Sequence, residues 1–167
     1  MNSYQFSEIC DVLNGRAYKQ DELLNKGKYP VLRVGNFFSS DRWYYSNMEL
    51  PDDKYCNNGD LLFAWSASFG PKIWDGGKTI YHYHIWKLIP HGDKADKFYL
   101  YYWLKNSVNT ITAGTHGSVM AHMTKSDMEN QTIYLPDLVV QKNIGNILRT
   151  IDEKISINNA INDNLAA

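Results

Sequence analysis

The amino-acid sequence predicts an α+β fold, a mixed sheet with few helices, followed by a long C-terminal helix of the coiled-coil-forming kind. Three observations predict it. Short β-branched and aromatic segments are scattered through the first 135 residues without regular alternation with helices, helical periodicity there is confined to brief stretches, and residues 136–167 carry apolar positions at spacings of three and four. The chain therefore divides into a globular unit, 1–135, and a helical unit, 136–167. It contains no internal repeat and no low-complexity tract.

Taken in order, Phe6 to Leu13 predicts a short helix stopped by Asn14-Gly15, with a polar stretch following to Gly27. Tyr29 to Val34 is β-branched and alternating, a first strand, and Gly35-Asn36 is expected to end it in a turn that exposes Asn36. Asp60 to Trp65 is nearly continuous in apolar residues, as a strand buried on both faces would be. Ser66 to Pro71 follows as a small-residue loop in which backbone and hydroxyls can approach a ligand closely. Ile80 to Leu88 predicts a third strand, Asp96 to Asn106 an aromatic-rich helix, Ser126 to Asn130 a short helix, and Gln131 to Leu135 a closing strand before Pro136.

In the last segment Ile144, Leu148, Ile151, Ile155 and Leu165, with Asn158 and Asn162 on the same line, fit a heptad seam. Such a seam wants another helix, and seam asparagines weaken pairing while fixing its register. Ile147, Ile157 and Ile161 lie off the strict line, so the apolar stripe is broad enough to serve packing onto the chain's own domain as well.

Composition excludes several classes. The 167 residues carry a formal net charge of -1, with high aromatic content, twelve Tyr and five Trp, and no apolar run approaching a membrane span. Of seventeen Lys plus Arg, Lys142, Arg149 and Lys154 lie beyond residue 135; of eighteen Asp plus Glu, Asp137, Asp152, Glu153 and Asp163 do. The globular unit thus has fourteen of each and is neutral. Composition alone does not favour a nucleic-acid partner, so any such affinity must come from local geometry or from a basic partner. The N-terminus has acids and no basic apolar leader, so a cytoplasmic location is expected. Cys10 and Cys56 have neither metal-ligand nor redox spacing and are expected as free thiols.

The motifs of common nucleotide chemistry and the serine elbow are absent. Asp52-Asp53-Lys54 crowds one turn and is expected to be solvated rather than a metal-dependent nuclease set. His82 and His84 would alternate on one strand face and His116 and His122 flank a loop, but no acid or cysteine spacing supports a metal site, and none is expected. The loop from Thr112 to Met123 has glycines, hydroxyls and two histidines between ordered elements, a composition that carries function more often than packing.

The order YPVLRVGNFF (29–38), GDLLFAWSASFGP (59–71), IWKL (85–88), GSVMAHMTKSDMENQTIYLP (117–136) and QKNIGNILRTIDEKISINNAINDNL (141–165) resembles the target recognition domain and conserved spacer helix of type I restriction-modification specificity subunits. The resemblance spans nearly the whole chain. It implies a noncatalytic subunit whose globular domain reads one half of a bipartite double-stranded DNA target. The long helix would then act as spacer and dimerisation helix and dock adenine methyltransferase subunits. S-adenosylmethionine would sit on those partners, with no cofactor on this chain, and a restriction/translocase subunit would cleave. Full members resemble two recognition domains and two such helices, whereas this sequence has one of each. A half subunit is therefore expected, forming a homodimer through antiparallel helices or pairing with a second specificity half; the alternative is a fragment of a longer subunit.

For DNA contact the chemistry favours Arg33, suited to guanine O6/N7, and Asn36, suited to adenine N6/N7. Ser66, Ser68 and Lys72 border the small loop, and His116, Ser118 and Lys125 the later one, as further candidates for phosphate or base contact. Trp65, Trp74 and Trp86 are expected in the core. The alternative is an interaction or inhibitor protein of the same fold that binds the partner subunits without reading DNA, for which the neutral charge argues.

Overall fold

The computed structural model describes residues 1–38, 41–66, 68–112 and 123–165. Its elements run β1 (Asn2–Gln5), β2 (Cys10–Asn14), β3 (Tyr29–Leu32), α1 (Val34–Phe38), β4 (Tyr44–Ser46), β5 (Tyr55–Cys56), β6 (Leu61–Ser66), β7 (Ser68–Ile73), β8 (Thr79–Tyr81), β9 (Ile85–Pro90), α2 (Lys97–Thr112), α3 (Lys125–Glu129), β10 (Thr132–Leu135) and α4 (Leu138–Leu165). The α+β class holds.

Two four-stranded sheets stack on one another. The first has the order β2-β9-β6-β7 and is antiparallel; the second, β4-β3-β8-β5, is mixed, because β3 and β8 run parallel. The continuous apolar run of β6 is explained by its place between them. Leu61 and Phe63 join a core with Phe6, Trp86, Leu100 and Leu104 under α2, while Leu62 and Ala64 join a second core with Leu32, Phe37, Trp74 and Ile85 between the sheets. A third, smaller cluster of Tyr29, Val31, Tyr55 and Ile80 lies on the far face of the mixed sheet. Burial holds the thiols of Cys10 and Cys56 above their ordinary pKa, Cys56 at about 12, so both stay protonated.

Four local expectations are corrected. Phe6 to Leu13 is not a helix: Phe6–Glu8 is one 3-10 turn and Cys10–Asn14 is a strand, because pairing with β9 satisfies its backbone and buries Cys10 and Val12 on one face. Ser66 to Pro71 is not a loop but a tight hairpin, with Ser66 opposite Ser68 and Trp65 opposite Phe69. Gly35-Asn36 lies inside the short helix α1 rather than in a turn. Finally, Ile80 to Leu88 is two strands in different sheets, β8 pairing with β3 and β9 with β6, joined by the bend at His82 to His84. Strand β1, which pairs with β10, carried no periodic signal in its four residues.

Helix α4 combines both roles anticipated for it, on different faces. Leu138, Gln141, Gly145, Leu148 and Asp152 turn toward the domain, a stripe at 3- and 4-residue spacing. Gln141 is buried; its Oε1 accepts from Asp96 N–H (3.0 Å) and its Nε2 donates to the carbonyls of Lys94 (2.9 Å) and Pro136 (2.8 Å). One turn on, α4 approaches α2 so closely that a Cβ at Gly145 would lie 2.9 Å from the Tyr99 nitrogen. The Asp152 carboxylate then accepts from the Tyr102 hydroxyl (3.0 Å) and faces Lys105 Nζ (3.5 Å), and the Arg149 guanidinium lies over Phe98. The adjacent face stays open, with Ile147 61%, Ile151 47% and Ile155 51% exposed. No helix among the described residues is long and apolar enough to cross a membrane.

Replacement of Gln141 by Ala leaves three part-buried backbone groups without this partner and is expected to lower stability by about 1–3 kcal/mol. Gly145→Ala gains roughly 1 kcal/mol of helix propensity but forces α4 off α2, for a net loss of about 1–2 kcal/mol. Urea unfolding of the two variants checks both signs.

Candidate functional site

One end of the two sheets is built by three bends in the chain. The first follows β3. Arg33 N–H donates to Asn36 Oδ1 (3.3 Å), one half of a capping box at the start of α1, and Asn36 Nδ2 donates to the Arg42 carbonyl (2.8 Å), tying β3 to the start of β4. The second is the His82–His84 bend between β8 and β9, where Ile85 N–H donates to the His82 carbonyl (2.9 Å) and His82 N–H to the Leu32 carbonyl (2.9 Å). The third is the tip of the β6–β7 hairpin, whose Trp65 N–H donates to the His84 carbonyl (3.1 Å) and whose indole donates to the Tyr83 carbonyl (2.8 Å).

The bend depends on Gly15. Its N–H donates to the Ile85 carbonyl (3.2 Å), and a Cβ there would fall 2.3 Å from the His82 oxygen and 2.6 Å from the Tyr81 oxygen. Only glycine allows the two backbones to pass this closely.

Together these bends frame a cavity of about 360 Å³ lined by Arg33, Val34, Gly35, Asn36, Arg42, Tyr44, His82 and His84. The guanidinium carbons of Arg33 and Arg42 stand 5.3 Å and 5.2 Å from the centre of the Tyr44 ring, so a single aromatic side chain orients both cations. The rings of His82 and His84 are 4.9 Å apart. Burial, then His84, then Arg33 push the His82 pKa down to about 4; burial and Arg33 also hold His84 below the ordinary value. Both imidazoles are therefore neutral at pH 7 and can donate and accept. A cation, an exposed donor fork and neutral acceptors in one concavity are the equipment of a recognition module.

The sequence-based candidates are partly brought together here. Arg33 and Asn36 line the cavity, but both ends of the Asn36 amide already tie the α1–β4 connection, which makes it a wall of the pocket first. Ser66 is buried and Ser68 exposed at the hairpin tip beside His84. Lys72 is placed elsewhere: it lies opposite Leu62 toward the other end of the hairpin, over the Trp74 ring (5.6 Å) and 3.9 Å from Asp75. Lys125 opens α3, paired with Glu129 at 3.3 Å, two residues after Met123, whose N–H donates to the Trp65 carbonyl (3.3 Å). His116 and Ser118 lie outside the described residues. Trp74 and Trp86 are buried as expected, whereas Trp65 is half-buried and edges onto His84 at 5.2 Å.

The sequence reading missed Arg42, Tyr44, His82 and His84. The alternation Arg42-x-Tyr44 was the available signal for the first pair; the histidines were weighed as metal ligands and set aside as surface or hydrogen-bonded core groups. No group of three metal-ligating side chains converges among the described residues.

The comparisons with known proteins agree with this picture of a recognition module. The chain belongs to the family of the type I restriction modification DNA specificity domain, whose model matches residues 1–167. It is 34% identical over 142 residues to the type I restriction enzyme MjaVIII specificity subunit of Methanocaldococcus jannaschii, 78% of this chain and 33% of that protein. It is 24% identical over 144 residues to the EcoBI specificity subunit of Escherichia coli, 86% of this chain and 30% of that protein. The chain thus spans about a third of the length of these relatives. Among solved structures, the HsdS subunit from Thermoanaerobacter tengcongensis shares the fold with a TM-score of 0.67 at 21% identity, over 93% of this chain and 38% of that one. The S subunit from M. genitalium does so at 0.68 and 18% identity, over 93% and 40%. A chain from a study of type I R-M complex assembly reaches 0.74 at 21% identity, over 93% and 39%.

Two outcomes are expected from the geometry. Gly15→Ala drives a methyl into peptide carbonyls and costs about 2–3 kcal/mol, read by thermal unfolding. In an NMR titration, His82 changes charge with a midpoint near 4. Because its folded pKa lies below the unfolded value, stability falls as pH drops from about 6.5 toward 4 and is unaffected by His82 above that window.

Proposed function

We propose that this chain is a noncatalytic DNA-specificity module of a type I restriction-modification system. Its globular part, 1–135, reads one half of a bipartite double-stranded target. Its helical part, 136–167, is the spacer. The family match over residues 1–167 is the observation that carries this reading. The chain's share in catalysis is to place adenine methyltransferase subunits, which hold the S-adenosylmethionine, on the chosen sequence; a restriction/translocase subunit joins the same assembly. The work takes place in the cytoplasm, where the DNA is.

The open face of α4 supports a second helix as its mate. Val140, Ile144, Ile147, Ile151 and Ile155 are all exposed and fall within one side of the helix, continued by Asn158, Asn162 and Leu165. Leu148, from the same predicted seam, is half-buried on the domain side, so the intermolecular seam is displaced by part of a turn from the heptad line. The mate is an antiparallel copy of the same helix, or the helix of a second specificity half. Such pairing would set two recognition domains at a fixed separation, as a bipartite target requires.

The full chain, tagged and isolated from its host, is expected to bring down an adenine methyltransferase in stoichiometric amount, and the complex to bind one DNA sequence above others. A complex that forms but lacks sequence preference would favour the inhibitor reading. Ile151→Asp combined with Ile155→Asp removes about 3 kcal/mol or more of apolar burial from the helix pair. Sedimentation is expected to show association at least tenfold weaker, with the circular dichroism melt of the domain unchanged.

A further inference from the structure

The cavity between the β3–β4 connection and the His82–His84 bend has a donor and acceptor pattern more specific than a general affinity for DNA. Two of the four arginines are committed to carboxylates: Arg16 forms a double hydrogen bond with Glu22 (2.8 Å and 2.9 Å), and Arg149 pairs with Glu153 (2.7 Å). Arg33 differs. It is exposed, lines the cavity, has no carboxylate partner among the described residues, and stands 5.3 Å from the centre of the Tyr44 ring. His82 and His84 line the same cavity. His84 N–H approaches His82 Nδ1 at 3.5 Å, which leaves the His82 Nε2 as that ring's donor, while the His84 ring nitrogens form no hydrogen bond among the described residues.

We infer that this pocket reads one G·C base pair from the major groove, with the Arg33 guanidinium donating to guanine O6 and N7 and a His84 ring nitrogen accepting from the cytosine amino group. The inference rests on the DNA-reading function proposed above and assigns it a base pair and residues. The major-groove edge of a G·C pair presents two acceptors followed by one donor, and no other base-pair edge has that order. A planar fork of donors beside a neutral acceptor is its complement. A phosphate, by contrast, offers acceptors alone and would use only the N–H of the His84 ring, whereas a G·C edge also uses its acceptor nitrogen. The Tyr44 ring serves as a positioning group: it limits the orientations of Arg33, so less freedom is lost when the two hydrogen bonds form. Arg42, on the same ring, places a second cation at the rim.

The experiment is selection of duplexes from a randomised library by the methyltransferase complex assembled on the full chain and on its Arg33→Ala, Arg33→Lys and His84→Ala variants. Circular dichroism melts establish that each variant is folded. The wild type is expected to enrich a motif with a G·C pair whose replacement by 7-deazaguanine, which lacks N7, weakens binding. Arg33→Ala is expected to lose preference at that position alone, by about 5- to 150-fold, the worth of one bidentate base contact. Arg33→Lys retains part of it, and His84→Ala admits other pairs there. An Arg33→Ala motif identical to the wild type's overturns the pocket assignment while leaving DNA reading intact. An equal loss on all sequences, with a shallower salt dependence, makes Arg33 a phosphate contact and likewise overturns it. A wild-type pool with no motif overturns this inference together with the function on which it rests.

Discussion

The close passage of Gly15 behind the His82 carbonyl is the constraint on which the rest of the domain depends. The chain between Thr79 and Pro90 serves two sheets in succession, and it can leave one and enter the other only by a sharp bend. A bend of this kind strips several peptide groups of their strand partners, and buried peptide groups must be paired. Here the partners come from three directions: Arg16 accepts from Tyr83 N–H and donates to the Tyr81 carbonyl, Leu32 accepts from His82 N–H, and Trp65 donates to the His84 carbonyl. With a side chain at position 15, the first of these could not approach. The same bend that joins the two cores therefore also fixes the two histidines and brings the ends of β3 and β6 to one place. Fold and pocket share a single backbone crossing.

Helix α4 follows a different logic. Its docked face is chosen for fit and hydrogen bonding, not for apolar area: Gln141 clamps the loop before α2, Gly145 permits contact, and Asp152 answers Tyr102 and Lys105. Leu138 and Leu148 add some apolar contact, but the isoleucines are left on the neighbouring face. A helix whose isoleucines served its own domain would have turned them inward, since each buried side chain stabilises by about 1.5–3 kcal/mol. The polar clamp is instead orientational. It sets which way the isoleucine face looks and lets the half beyond Asp152 project from the domain.

What was legible in the sequence follows from how far each signal reaches. The burial of β6 on both faces showed in a short run, because its alternate side chains enter two different cores and both sets are apolar; α4 showed because its periodicity runs for 28 residues. Cys10–Asn14 was misjudged because its strand character lies in a partner about 75 residues away, and local apolar spacing in so short a segment fits a helix equally well. The division of 79–90 was hidden for a related reason. Both halves are β-forming, and the signal for the bend is Gly15, far off in the chain. Arg33 was found by its chemistry at a strand end, but Arg42, Tyr44 and the histidines form a site only after two sheets are stacked. The docked face of α4 was hidden because Gln141, Gly145 and Asp152 carry no apolar signal, and its Leu148 fits the heptad line of the open face equally well.

The near-zero net charge and the abundance of tyrosine also belong together. The cations of this domain are not spread into a basic field; they are laid on rings. Lys78 stands 4.0 Å from the centre of Tyr55 and near Tyr29, Lys28 over Tyr29, Lys105 near Tyr101 and Tyr102, Arg16 over Tyr18, and Arg33 and Arg42 over Tyr44. A ring restricts where a cation points without neutralising it; Arg16, Lys28 and Lys105 also meet a carboxylate, whereas Arg33 has its ring and no carboxylate among the described residues. A surface built this way attracts a polyanion weakly at a distance, because the summed charge is small. At contact it offers donors at fixed positions. Under the function proposed, affinity for the phosphate backbone would be left to the larger assembly, and this chain would contribute discrimination among sequences, for which a few oriented groups count for more than total charge.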